Sequence, residues 1–505
     1  MTERPSRSGS GRAGCGERRR PPRSVQAPSE RRRTEDVARG AAFDVLREVA
    51  DSDAYANLVL PPLLRARRIV GRDAGFATEL AYGTLRLRGR YDAIIAQVAS
   101  RELGTIDPPV LDLLRLGTHQ LLGMRVPAHA AVSETVALAR SRAGVGSAQF
   151  VNAVLRKIAL HDTAEWLALI ESGARHDELE TLAIRESHPS WIVRALREAL
   201  VGHGRPAAEL EALLHADNEA PEVTMVARPG LVEREELLAE LRSGARVGPW
   251  TPTAIRLTGG DPGAIRAVRD GRAGVQDEGS QLVTLALVAA ELTTESAADA
   301  PGERWLDLCA GPGGKAALLA ALAAQQGAHL VANEVLPHRA LLVERSLAAI
   351  PGWVAEVRCG DGRAIGGEEP GHYDRVLLDA PCTGLGALRR RPEARWRRSP
   401  ADLSALGVLQ RQLLGSAIDA CRPGGVVAYV TCSPHVAETT LVVKDVLRKR
   451  TDAEVIDATA AVVAASRGQI DLGPGPSVQL WPHVHRTDAM HLTLIRRTAA
   501  PGAAR

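Results

Sequence analysis

Two folds are predicted along this chain of 505 residues: an all-helical N-terminal domain, then a doubly wound α/β domain. Three observations carry the prediction. Between residues 34 and 165, apolar residues recur at the spacing of a helix packed on one face. From 276 to 497, short continuous apolar runs alternate with helical stretches, as parallel strands buried on both faces and joined by helices do. The first of those runs, Trp305–Leu308, leads directly into a glycine-rich turn and an Ala/Leu helix, the ligand end of such a fold. Apolar residues at 45% and charged residues at 24% exclude wholesale disorder and a fibrous repeat.

Residues 1–33 hold ten Arg and three Glu with almost nothing to bury, which predicts a disordered basic tail. The whole chain carries +3, so everything after that tail sums to −4, and any nucleic-acid surface must be local. Only four of the 63 basic residues are Lys, so Arg is the default cation and Arg clusters count for less. At 34–165, Val37, Ala41, Val45 and Val49 repeat at four-residue spacing behind Thr34 as N-cap. Asp107-Pro108 reads as a cap and first helical residue opening a helix through Leu122. Helical patterns also cover Ala74–Val98, Val132–Arg142 and Phe150–Ile158, and no stretch reads clearly as a strand. Residues 166–215 continue helical as a connector. A small mixed α/β segment is expected at 216–275, where β-branched runs are broken by Pro229-Gly230 and Gly259-Gly260. The domain at 276–497 then takes its strands from Trp305–Leu308, His329–Ala332, Val354–Arg358, Arg375–Leu378 and Val426–Val430.

The turn Cys309-Ala310-Gly311-Pro312-Gly313-Gly314-Lys315 lets backbone N–H groups approach a ligand at a helix N-terminus. It is neither a Walker A, which needs Gly at 309 and Ser or Thr at 316, nor a G-x-G-x-x-G fingerprint. Acids stand past the next three strands: Glu334, Asp361 and Asp379. One suits ribose hydroxyls and another an adenine amine, all converging on one crevice. Adenosine without a phosphate chain points to S-adenosylmethionine as cofactor.

Two cysteines end neighbouring strands, Cys382 in Asp379-Ala380-Pro381-Cys382 and Cys432 in Thr431-Cys432-Ser433. Thiols there have a chemical use. Carbon 5 of a pyrimidine is a poor nucleophile until a thiolate adds to carbon 6. It then accepts a methyl group, a base removes the carbon-5 proton and the thiolate leaves. Asp379 is placed to hydrogen-bond the ring nitrogen or amine that gains electron density.

These motifs resemble the RNA 5-methylcytosine methyltransferases of the Nol/Nop/Sun class, whose Rossmann-like domain binds S-adenosylmethionine. The resemblance extends to Val275-Gln276-Asp277-Glu278-Gly279-Ser280-Gln281 and to Arg389-Arg390-Arg391-Pro392-Glu393 with Trp396. Asn57-Leu58-Val59-Leu60 and Arg125–Val132 resemble a NusB-like RNA-binding domain. That fusion is the arrangement of bacterial enzymes acting on small-subunit (16S) ribosomal RNA, so the resemblance implies that RNA as partner. By position it implies Cys432 as nucleophile, Cys382 in adduct release, and Cys309–Lys315, Glu334, Asp361 and Asp379 around the cofactor. Thr383 after Cys382 argues against DNA cytosine methyltransferases, which have Gln there. The chain departs from the class at Gly311 and Ala316, where Ala and Thr are common, at Glu334 for Asp, at Thr439 for Asn, and at Ala489-Met490 for Gly-Phe.

Arg389, Arg390, Arg391 and Arg395 around Trp396 are expected to touch RNA through phosphate contacts and stacking. Two rival readings stand beside the enzyme. One is a non-catalytic RNA-binding or assembly factor on a degenerate scaffold, against which Gly311, Gly313, Gly314, Asp379, Cys382 and Cys432 count. The other is a nicotinamide oxidoreductase, which lacks its fingerprint. Six cysteines with no C-x-x-C pair suit a reducing cytoplasm and no metal site. The longest apolar stretches, such as Ala316–Ala324, are too short for a membrane span.

Overall fold

A computed structural model describes residues 35–52, 54–173, 177–293 and 302–499; the basic tail and Thr34 lie outside them. The first helix, Val37–Asp51, is capped by Asp36, whose side chain accepts from Arg39 N at 2.8 Å. The helix at Pro108–Leu122 begins where Asp107-Pro108 placed it, although the Asp107 side chain makes no cap hydrogen bond. The pattern at 74–98 resolves into two helices, Gly71–Arg86 and Arg88–Val98, parted at Leu87. Conversely, the two stretches at 132–142 and 150–158 join in Ala128–Ile158, broken at Gly144 (φ +89°). Phe43, Leu46, Leu80, Tyr91, Ile94, Leu113, Leu114 and Leu155 form the core of these helices.

Helices Glu178–Arg185, Ser190–Gly202 and Leu210–Asn218 follow. Their apolar faces (Ile192, Leu196, Leu213) share a core with Leu385, Leu388 and Trp481, so this stretch packs as part of the C-terminal half. Next comes an antiparallel sheet of β1 (Val223–Ala227), β2 (Ala245–Val247), β3 (Ala254–Leu257) and β4 (Ala273–Val275), in the order β2-β3-β1-β4.

The large sheet contains β5 (Arg304–Asp307), β6 (His329–Asn333), β7 (Ala355–Arg358), β8 (Tyr373–Asp379), β9 (Cys421–Thr431), β10 (Ala453–Ile456), β11 (Val478–Gln479) and β12 (His491–Arg497). Its order is β10-β12-β9-β8-β5-β6-β7, with β11 on β12. Strands β5 to β9 are parallel, as the continuous apolar runs predict. Strands β10, β11 and β12 are antiparallel additions absent from the sequence expectation, so the sheet is mixed. Because β5 lies between β6 and β8, the chain reverses its winding there, and a crevice opens beyond the carboxyl ends of those strands.

The segment at 389–398 fastens the helical domain to this sheet. Arg395 is fully buried and donates to the carbonyls of Arg86, Ser187 and Asp217 and to Asn218 Oδ1, at 2.7–3.2 Å. Arg397 donates to the carbonyls of Val49 and Ala54, and Glu393 accepts from Ala56 N at 3.0 Å. Trp396 lies so close to Gly89 that a Cβ there would meet its ring at 2.5 Å. Replacing Arg395 leaves four buried acceptors unmatched. Arg395→Leu is expected to cost about 3–5 kcal/mol, read as a lowered denaturation midpoint while Arg398→Leu, at the partly exposed end of the segment, stays within about 0.5 kcal/mol of the parent.

Candidate active site

The cradle at the end of β5 is built by glycine where nothing larger fits. Gly313 has φ +108°, and a Cβ there would meet Ser346 Cβ at 2.7 Å, so the turn admits no side chain as it enters helix Gly314–Gln326. At Gly311 a Cβ would stand 2.2 Å from Glu334 Oε2, which accepts from Gly311 N at 3.0 Å. Two departures from the Nol/Nop/Sun pattern thus fit each other: the extra methylene of Glu334 reaches the space that the methyl of Ala would occupy. Glu334 is almost fully buried and also accepts from Leu336 N at 3.0 Å. Asp361 is exposed, caps helix Gly362–Glu368 and pairs with Arg363 at 2.6 Å, which holds its carboxyl below the usual range.

Asp379 ends β8 and accepts from Lys315 Nζ at 2.7 Å. Burial opposes the charge on Lys315, but Asp379 outweighs it and keeps the ammonium above the ordinary lysine value. Asp307, at the end of β5, is buried with neither carboxylate oxygen hydrogen-bonded by a side chain. Burial and then the nearby Asp379 raise its carboxyl to about 8. Sequence reasoning did not single it out, though an acid inside the apolar run Trp305-Leu306-Asp307-Leu308 was a signal. Glu334, Asp361 and Asp379 repel a polyphosphate and suit a ligand bearing an ammonium and a sulfonium, while Asp307, protonated, offers a hydrogen-bond donor beside them. The open N-terminus at Gly314, with no atom within 4 Å of where its Cβ would be, suits a carboxylate. This donor set fits S-adenosylmethionine.

Strands β8 and β9 run parallel with Asp379 opposite Val430, and the chain leaves both in the same direction. Cys382 and Cys432 consequently meet, sulfur to sulfur, at 3.4 Å, both half-buried. The hydrogen bond with Cys382 lowers the Cys432 thiol below its ordinary range; burial and Asp379 oppose this, while Lys315 and Arg391 assist. Cys382 is pushed the other way by that hydrogen bond, burial, and the charges of Cys432, Glu438 and Asp379. Burial and the acids Asp307 and Asp379 raise the Cys309 thiol, so it stays protonated.

The expected RNA-contacting residues divide. Arg389 and Arg390 bridge two buried acids, Asp277 (3.2 and 2.6 Å) and Asp488 (3.1 and 2.9 Å). Arg395 has no surface left to meet a phosphate, and Trp396 packs on the helical domain with Arg88 over its ring at 5.5 Å. Arg391 remains exposed, above Tyr55 at 4.7 Å, and its charge reaches Cys432. Thr439 is buried, bonded to His435 O at 3.0 Å and next to His203 Nε2 at 3.3 Å. Ala489 N donates to Gly386 O at 2.8 Å, and Gly386 N in turn donates to Cys432 O at 2.9 Å, which sets the Ala489-Met490 segment beside the Cys432 turn.

Two family patterns match the chain: 16S rRNA methyltransferase RsmB/F over residues 297–496 and the NusB family over residues 36–160. A Mycobacterium tuberculosis protein named "Putative methyltransferase Rv1407" is 52% identical over 467 residues, covering 92% of this chain and 98% of that protein. Ribosomal RNA small subunit methyltransferase B of Klebsiella pneumoniae is 31% identical over 448 residues, covering 87% of this chain and 95% of that one. The crystal structure of PH0851 shares the fold at TM-score 0.74 and 21% identity, covering 92% of this chain and all of that one.

Asp307 makes stability depend on pH. Its folded-state value lies above the unfolded value of 3.8, so the folded chain holds a proton that the unfolded chain releases, and stability falls as pH rises from there to about 8. Asp307→Asn removes that slope, at most about 1.4 kcal/mol per pH unit. Thermal melts of the ligand-free protein are expected to show the variant gaining on the parent steadily from about pH 4 to pH 8.

Proposed function

The chain belongs to the RsmB/F family and is an S-adenosylmethionine-dependent rRNA methyltransferase; on that premise we propose that it methylates carbon 5 of a cytosine in small-subunit rRNA through a covalent adduct between Cys432 and carbon 6. The observation that carries the reading is the 3.4 Å approach of Cys382 and Cys432 beside Asp379. The bound cofactor supplies an electrophilic methyl group at the carboxyl end of β5.

Cys432, the thiol of lowered pKa, adds to carbon 6 and makes carbon 5 nucleophilic. Asp379, fixed by Lys315, hydrogen-bonds the cytosine edge that gains electron density. After methyl transfer a base takes the carbon-5 proton, the carbon 5–carbon 6 double bond reforms, and the Cys432 sulfur leaves. Cys382, held as a neutral thiol in contact with that sulfur, assists release. Glu334 and the backbone of Cys309–Lys315 hold the cofactor, with Asp361 at the rim. Of the arginines, Arg391 is the one we assign to RNA, together with the NusB-like helical domain at 34–165. The connector (166–215) and small sheet (216–275) join that domain to the methyltransferase domain at 276–497. With an rRNA substrate, the proposed reaction is a cytoplasmic one.

The test uses S-adenosylmethionine labelled in its methyl group, unmodified small-subunit rRNA, and bisulfite mapping of the product. Label at one cytosine is expected with the parent enzyme and none with Cys432→Ala, while Cys382→Ala accumulates a covalent RNA–protein complex. Normal turnover by Cys382→Ala without trapped RNA would overturn its role. Arg391→Ala is expected to weaken RNA binding and reduce the slope of log affinity against log salt by about one; an unchanged slope removes Arg391 from the interface.

A further inference from the structure

Glu438 lies on the turn after Cys432 and is completely buried, yet no Lys, Arg or His of the described residues pairs with its carboxylate. Neutral donors satisfy it instead. Thr383 N donates to Oε1 at 2.8 Å, the Thr383 hydroxyl donates to Oε2, and Gln410 Nε2 approaches Oε1 at 3.3 Å. The same Gln410 nitrogen donates to Pro381 O at 2.8 Å, so the residues on both sides of Cys382 are tied to one carboxylate. Thr383 Oγ1 also lies 3.3 Å from Ser433 Oγ, beside Cys432. From below, the buried Tyr429 hydroxyl donates to Glu438 O at 2.7 Å, which fixes the turn to β9.

We propose that Glu438 is a positioning residue for the reaction: it locks the Cys382 turn against the Cys432 turn and assigns the negative charge to Cys432 rather than to Cys382. This rests on the reading of the two cysteines given above. Sulfurs 3.4 Å apart cannot both ionise cheaply, so the surrounding charges decide which does. The helix after the glycine turn faces the pair with Lys315, the end of β8 with Asp379, and the 389–398 segment with Arg391. Lys315 and Arg391 favour thiolate at Cys432; at Cys382 the hydrogen bond with Cys432 and burial disfavour it first, and Glu438 adds to them. Around Glu438 itself the titratable neighbours are Cys382, His435 on its own turn, with Glu198 of helix Ser190–Gly202 near it, and Tyr429 on β9, with Arg411 near that.

The test is alkylation of the full-length protein by iodoacetamide between about pH 6 and pH 9, a window set by the thiol range, with each cysteine followed by peptide mass spectrometry. In the parent, Cys432 is expected to react faster than Cys382. Glu438→Gln keeps the size of the side chain and removes the charge; it is expected to raise the rate of Cys382 relative to Cys432 about tenfold, the equivalent of one pKa unit. Its cofactor binding should be unchanged and its single-turnover methylation slower. Thr383→Val keeps the charge and removes one donor, so the order of alkylation should hold while turnover falls. A Glu438→Gln protein with the parent's alkylation ratio and pH profile would overturn the charge assignment. Parental turnover in Thr383→Val would overturn the positioning role, and that variant decides it if Glu438→Gln fails to bind cofactor. Alkylation requires no RNA, so a parent enzyme that alkylates as expected but methylates no cytosine would count against the proposed reaction and not against Glu438.

Discussion

The parallel pairing of β8 with β9, Asp379 opposite Val430, is the constraint on which the site depends. Parallel strands end on the same side of a sheet, so two turns separated by fifty residues leave it together and their thiols come into contact. The carboxyl end of β5, next to β8, adds Lys315 to the same rim. A slip of the register would part the sulfurs and move Asp379 from its lysine at once. Register in a strand buried on both faces is strongly specified, because Val376, Leu377 and Leu378 pack on opposite sides against two separate cores.

The parallel half of the sheet was legible because its apolar runs are continuous, and the glycine turn because it follows the first of them directly; Gly311 and Gly313 each answer a particular crowding. The antiparallel strands β10 to β12 were not. The run at 491–497 mixes His, Thr and Arg with Leu and Ile, and its partner β9 was already accounted for as the last parallel strand. Helix boundaries also slipped where two helices abut, as at Leu87, since apolar spacing continues across a break that only the backbone reveals.

At the site, residues with intrinsic chemistry were readable and those acting through others were not. Cys382 and Cys432 announced themselves by type and by place at strand ends. Glu438 is tied to the Cys382 turn by Thr383 and Gln410, distant in sequence, and no spacing links the three. The arginines show the opposite error. A basic stretch with an aromatic beside a nucleotide-modifying site reads as a nucleic-acid surface, but Arg389 and Arg390 neutralise Asp277 and Asp488, and Arg395 fills a nest of carbonyls. In a chain whose cations are nearly all Arg, a guanidinium is also the means of joining domains. Gly311 and Glu334, each a small oddity alone, make sense only once seen to share one space.

The way the two halves are joined has a consequence for how such a chain can change. In the helical domain Arg395 and Arg397 grip main-chain oxygens of Arg86, Val49 and Ala54, and a carbonyl is the same whatever side chain its residue bears. The helical partner is therefore free to drift in sequence at those positions so long as its helices stay in place, whereas the arginines have no substitute. Mutational tolerance at those three positions is one-sided: the 389–398 segment carries the address, and there the helices need only keep their shape.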